Sequence, residues 1–257
     1  MTTPTHAPHT TGTRPATTVA VVTGASRGLG LALTRELSKR GWTIVADARD
    51  PAALTAAVGD LAGAHAVPGD VTNEGHRAEL IRTALQLGDG RIDLLVNNAS
   101  HLGPSPQPLL ADYPSDELSR VFEVNVLAPL ALIRHSLAGL TEAHGTVVDI
   151  SSDAAVEAYP GWGGYGASKA ALDHASAVLA VENPGVRVYA FDPGDMRTQM
   201  HQDAFPGEDI SDRPEPESVV PAFLRLLDEQ PPSGRVLAAD LAVDAPTAAA
   251  APPGATS

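Results

Sequence analysis

A chain of 257 residues, 43% hydrophobic and 19% charged, is long enough for one large α/β domain with a full core. It contains no cysteine, which excludes disulfides, thiolate metal sites and a cysteine nucleophile. The formal net charge of −14 leaves no basic surplus to neutralise phosphates, so neither nucleic acid nor an anionic membrane is expected as a partner.

Residues 1–17 are rich in Thr, Pro and His without periodicity and are expected to form a disordered tail. They lack the apolar core of a signal peptide, and no apolar run approaches the roughly 20 residues of a membrane span, so the cytoplasm is the expected location. Short apolar runs at 18–22, 43–46, 93–96, 146–150, 186–191 and 235–239 predict buried strands, with a weaker one at 65–67. Helical stretches lie between them near 29–40, 52–58, 73–87, 115–140, 165–182 and 216–228, punctuated by Gly41, Gly145 and Gly185. Continuous apolar strands joined by helices predict a parallel sheet covered on both faces, a doubly wound α/β architecture in a single domain over 18–241. Ligands are then expected at the carboxyl ends of the strands. Residues 242–257 are of low complexity and are expected to be unstructured.

The first strand runs into Thr23-Gly24-Ala25-Ser26-Arg27-Gly28-Leu29-Gly30, with an apolar-periodic helix behind it. Glycines there let the backbone approach a pyrophosphate, and the helix N-terminus offers free N–H groups and a favourable dipole. The spacing, T-G-x3-G-x-G, resembles that of the short-chain dehydrogenase/reductase family, and further segments extend the resemblance in order. Asp70-Val71-Thr72 resembles the segment that holds the adenine, and Asn97-Asn98-Ala99 the close of the fourth strand. Asn125 lies in the following helix, Ser152 ends the fifth strand, and Tyr165-Gly166-Ala167-Ser168-Lys169 is a Y-x3-K motif. Pro193-Gly194 with Thr198 resembles the segment beside the nicotinamide. The match spans about residues 18–241; Ser100 departs from it, standing where the family usually has glycine.

The resemblance implies a Rossmann-fold oxidoreductase that passes hydride between a nicotinamide and a carbonyl or secondary alcohol, assembled as a homodimer or homotetramer. Tyr165, Lys169, Ser152 and Asn125 are its implied catalytic residues. Its implied cofactor contacts are Gly24, Ser26, Arg27, Gly28, Leu29 and Gly30 in the glycine turn, then Arg49, Asp70, Val71, Asn98 and Ala99. Tyr165, Lys169, Pro193, Gly194 and Thr198 complete that set. A cofactor-binding regulator, or an epimerase- or dehydratase-type enzyme on the same fold, is the alternative.

Tyr165 and Lys169 are four residues apart and share one helix face. A free tyrosine, with a pKa of about 10, exchanges protons poorly at neutral pH. A nearby ammonium is expected to lower that value towards the range where general acid–base catalysis works best. Arginine, permanently protonated, could not serve in such a relay, and Lys169 is one of only two lysines among seventeen basic residues. Ser152 precedes Tyr165 by the interval the family uses; because strand neighbours point to opposite faces, only one of Ser151 and Ser152 should face the site, and Ser152 is the choice. Pro129 lacks the N–H that would bond the carbonyl of Asn125, so that carbonyl loses its helical partner. In the family, this asparagine's backbone holds a water connected to the lysine.

NAD-preferring relatives place an acidic residue at the end of the second strand, where it bonds the ribose 2′-hydroxyl. Here that position aligns with Ala48, followed by Arg49, while Asp47 falls one residue early. With Arg27 in the glycine turn, this favours NADP(H). The substrate is expected to be a small carbonyl or alcohol, ring-containing or apolar, because Tyr159, Trp162 and Tyr165 cluster and residues 196–209 form a candidate lid. His101 and His201 fall within reach of that pocket. No metal-ligand spacing occurs, and no catalytic metal is expected.

Overall fold

The computed structural model describes residues 17–241, so the expected tails lie outside the described residues apart from Thr17. The chain builds β1 (Val19–Val22), α1 (Gly28–Lys39), β2 (Thr43–Ala46), α2 (Pro51–Val58), β3 (Ala64–Ala66), α3 (Glu74–Leu87) and β4 (Leu94–Asn97). After a long connection come α4 (Ser115–Phe122), α5 (Ala128–Ala143), β5 (Thr146–Ile150), α6 (Gly163–Glu182) and β6 (Arg187–Asp192). The chain continues through α7 (Gln199–Ala204), α8 (Val220–Glu229), β7 (Gly234–Leu237) and α9 (Ala238–Leu241).

The seven strands form one sheet in the order β3-β2-β1-β4-β5-β6-β7, with all pairs parallel. Every residue of β1, β4 and β5 is buried, because helices cover both faces of the sheet. One core layer packs α1 and α8 against Ala20, Val22, Ile44, Val148 and Phe191. The other packs α3 and α5 against Val19, Val21, Leu95 and Val147. The strand order reverses between β1 and β4, which opens a crevice at their carboxyl ends. Helix starts are fixed locally: Asp50 accepts from the N–H groups of Ala52 and Ala53 ahead of Pro51, and Asn73 caps α3 through the N–H of His76.

Three elements differ from the sequence expectation. The single helix expected over 115–140 is broken by a π-turn at Glu123–Leu127, where the N–H of Ala128 reaches the carbonyl of Glu123. The last strand stops at Leu237, and Ala238, expected to extend it, begins α9. The candidate lid contains a short helix, α7, capped by Thr198. The combined run Ser115–Ala143 has the length and apolarity of a membrane-crossing helix. In this fold it covers the sheet instead, packing on α3 and α6 with a hydrogen-bonded asparagine at its centre.

Candidate active site

Where β1 ends, the chain turns through Gly24, with φ of +65°, and Gly28, with φ of +56°. A Cβ at Gly30 would lie 2.4 Å from the Gly24 carbonyl oxygen and 2.5 Å from Asn98 Nδ2, so α1 approaches the turn as only glycine allows. Asn98 stitches the turn to β4, donating to the carbonyls of Thr23 at 2.8 Å and Gly24 at 3.2 Å. The N–H groups of Asn98 and Ala99 both donate to Thr23 Oγ1. These contacts preshape a backbone cradle at a helix N-terminus, which fits a dinucleotide pyrophosphate.

Asp47 sits beneath this cradle, 2% exposed, with Oδ2 2.5 Å from His76 Nε2 and Oδ1 accepting from Gly24 N at 3.3 Å. Burial raises its pKa, opposed by the hydrogen bond and charge of His76. Both carboxylate oxygens are therefore engaged within the protein. Arg77, the next residue on α3, donates to the Val71 carbonyl at 2.6 Å and steadies the Asp70–Val71 segment.

A cleft of about 1120 Å³ runs from Arg27, Arg49 and Asp70 at one end to Ser152, Tyr165 and Met200 at the other. Single-ligand pockets usually occupy about 300–1,000 Å³, so a cofactor and a substrate together suit this volume. All the expected site residues line it except Gly30 and Asn125, which stand behind its wall. Asn125, 1% exposed, accepts from the N–H of His101 at 2.8 Å and from Ser100 Oγ at 3.2 Å. Its amide nitrogen donates to the His101 carbonyl and to Ser168 Oγ, both at 2.9 Å. Asn125 thus ties the π-turn to α6, one residue before Lys169.

Tyr165 is 8% exposed and Lys169 2% exposed. Lys169 Nζ donates to the Ile150 carbonyl at 2.7 Å and lies 5.5 Å from the centre of the Tyr165 ring. The expectation that the ammonium would depress the tyrosine is corrected here. Burial dominates both groups, pushing the Tyr165 phenol up to about 12 and pulling Lys169 down to about 8. Hydrogen bonding by Ser100 and Ser152 works against the phenol's rise, while the charges of Asp192 and Asp153 add to it. Both serines line the cleft: Ser151 is buried with its Oγ accepting from Arg235, and Ser152 is half-buried with its Oγ donating to Asp153 Oδ1 at 2.9 Å.

Trp162 lines the cleft, stacked edge-on against Tyr165 at 5.8 Å and tilted against Phe205 at 5.8 Å. Tyr159 is 44% exposed, outside the lining, and donates to Asp153. His101 and His201 both line the cleft. Three participants escape sequence reasoning. Ser100, noted only as a departure, contacts both Tyr165 and Asn125; His76 and Arg235 find partners 29 to 84 residues away, which no local pattern signals.

The family model for short chain dehydrogenases matches residues 18–209. The chain belongs to the short-chain dehydrogenase family. A serine 3-dehydrogenase from Agrobacterium fabrum is 35% identical over 186 residues, covering 70% of this chain and 72% of that protein. Among solved structures, an alcohol dehydrogenase from Thermococcus sibiricus complexed with 5-hydroxy-NADP superposes with a TM-score of 0.77 at 26% identity, covering 86% and 95% of the two chains. A short-chain dehydrogenase from Shigella flexneri 2a complexed with NADP gives 0.76 at 26% identity, with coverage of 86% and 95%. Members of this family are oxidoreductases that use nicotinamide cofactors, and the glycine cradle fits that group on geometry alone.

Proposed function

We propose that this short-chain dehydrogenase is an NADP(H)-dependent reductase of carbonyls, and dehydrogenase of the matching secondary alcohols, with Tyr165 as its general acid/base. The observation that carries the reading is the convergence of Tyr165, Lys169 and Ser152 on the cleft that begins at the glycine cradle. Bound nicotinamide supplies or takes the hydride. A phenol held near 12 stays protonated at neutral pH, the form needed to give a proton to a carbonyl oxygen under reduction. Ser152 offers its hydroxyl to the same oxygen, and Lys169 stands beside the Tyr165 ring, 5.5 Å from its centre. Asn125 holds the π-turn against α6 and so fixes the approach of Lys169.

NADP(H) rather than NAD(H) is supported by the fate of Asp47, whose oxygens are taken by His76 and Gly24. Ala48, uncharged, and Arg49 and Arg27 line that end of the cleft, and the two neighbours described above carry NADP-type ligands. NADPH should bind at least tenfold more tightly than NADH, about 1.4 kcal/mol, a modest demand on one or two charge-assisted hydrogen bonds. Ala48→Asp should reverse the preference in titrations of both cofactors. Tighter NADH binding by the wild type would show that Asp47 serves the ribose. The aromatic wall at Trp162 favours a ring-bearing or apolar substrate, and NADPH oxidation across a panel of ketones and aldehydes identifies it. A homodimer or homotetramer in the cytoplasm is part of the same proposal.

A further inference from the structure

Arg235 stands in β7, beyond the residues matched by the family model, on a strand that pairs with β6. Its guanidinium nevertheless reaches across the sheet's carboxyl edge to four groups. One terminal nitrogen donates to Ser151 Oγ at 2.6 Å and to Asp173 Oδ2 at 2.5 Å. The other donates to the Ser152 carbonyl at 3.0 Å and to Asp192 Oδ2 at 2.6 Å. The side chains are largely enclosed, at 23% exposure for Arg235, 14% for Asp173 and 7% for Asp192. One fork thus joins β7, the end of β5, the end of β6 and α6. Lysine offers a single nitrogen and could not span both pairs.

Each of the four partners bears on the site. Ser151 and Ser152 both line the cleft at the end of β5. Asp192 accepts from Gly194 N at 2.9 Å and so shapes the Pro193-Gly194 turn. Asp173 lies one helical turn past Lys169. The charged groups facing Tyr165 are Asp192 and Asp153, with Lys169 beside its ring; those facing Lys169 are Asp173 and Asp149. Asp149 is buried and held by Asn97 and Ser176. Of these carboxylates, Asp173 and Asp192 carry the guanidinium as their counter-ion.

We propose that Arg235 is a positioning residue for the reaction: it fixes Ser152 through its carbonyl and neutralises the Asp173 and Asp192 carboxylates that flank Lys169 and Tyr165. The inference rests on the reading of Tyr165 as general acid/base. Without the guanidinium, the enclosed Asp192 carboxylate that faces Tyr165 loses its counter-ion and disfavours the phenolate, so the pH at which Tyr165 loses its proton rises. In the oxidation direction, which needs the phenolate, the acid limb of the rate profile must then move to higher pH.

The test compares kcat/KM against pH for the alcohol best oxidised by the wild type, in Arg235→Gln, Arg235→Lys and Arg235→Gln/Asp192→Asn, alongside NADP+ affinity and melting temperature. Arg235→Gln should lower kcat at least tenfold and move the acid limb up by about one pH unit. Arg235→Lys should keep the limb near its wild-type position yet still lose kcat, since Ser152 loses its anchor. The double variant should return the limb part of the way. Should Arg235→Gln fail to fold, the fall in kcat with an unmoved limb in Arg235→Lys carries the claim. Variants that melt earlier but keep the wild-type limb and kcat would overturn it, leaving a structural clamp. A wild type that binds no nicotinamide cofactor, or Tyr165→Phe as active as wild type, would instead strike the underlying reading of the site.

Discussion

Sealed between the Tyr165 ring and the end of β5, the Lys169 ammonium is drawn from its ordinary 10.5 down to about 8, chiefly by burial. Its folded pKa lies below its unfolded one, so between about pH 8 and 10.5 the unfolded chain holds the proton more tightly and stability rises with pH. Across that window the wild type should gain up to about 3 kcal/mol relative to Lys169→Met, which has no proton to lose. Urea midpoints of both proteins at several pH values check this, and a constant difference would contradict it. The family resemblance pointed to Tyr165, Lys169 and Ser152, and the structure brings all three to the lining of one cleft. Their proton affinities could not be read from the sequence, because spacing brings two groups near each other but does not say how much water is left around them. The Ser100 hydroxyl was visible as a departure from pattern, and its contacts only emerged once the π-turn had placed Asn125 opposite it.

At the scale of elements, the contact between the glycine turn and α1 is the most demanding in the fold. Gly30→Ala drives a methyl into the Gly24 carbonyl and the Asn98 amide. It should cost about 1–3 kcal/mol of stability, as overpacking does, and weaken NADPH at least about tenfold by opening the cradle. A Cβ at Gly185 meets nothing within 4 Å, so Gly185→Ala should leave both quantities unchanged in thermal melts and cofactor titrations. Unaltered binding in Gly30→Ala would refute the close approach. Strands and helices were legible here because buried parallel strands leave unbroken apolar runs between helical stretches. The π-turn at Glu123–Leu127 was hidden, since one extra residue per turn leaves an apolar helix looking continuous. The end of β7 was hidden too, because Ala238 prolongs the apolar run of the strand although alanine favours the helix it begins.

At the scale of the molecule, the doubly wound sheet places the site where the strand order reverses, with the cradle on one side and the Tyr165 helix on the other. Leu127 on the π-turn is 53% exposed, and Val178 and Val181 on α6 are 42% and 82% exposed. Apolar side chains standing out from these neighbouring elements are what self-association would cover. Light scattering at micromolar concentration should give two or four times the chain mass of 26.5 kDa; a clean monomer would contradict the proposed assembly.

In the proposed reaction Tyr165 passes the proton while the rest of the site binds and orients. Tyr165→Phe removes one hydroxyl and leaves the ring packed against Trp162. The decisive measurement sets its NADPH-dependent turnover of the best ketone beside its NADPH affinity. Affinity should stay within a few-fold of the wild type and turnover should fall by roughly 10²–10⁴-fold or more. Turnover near the wild-type rate would contradict that role for Tyr165.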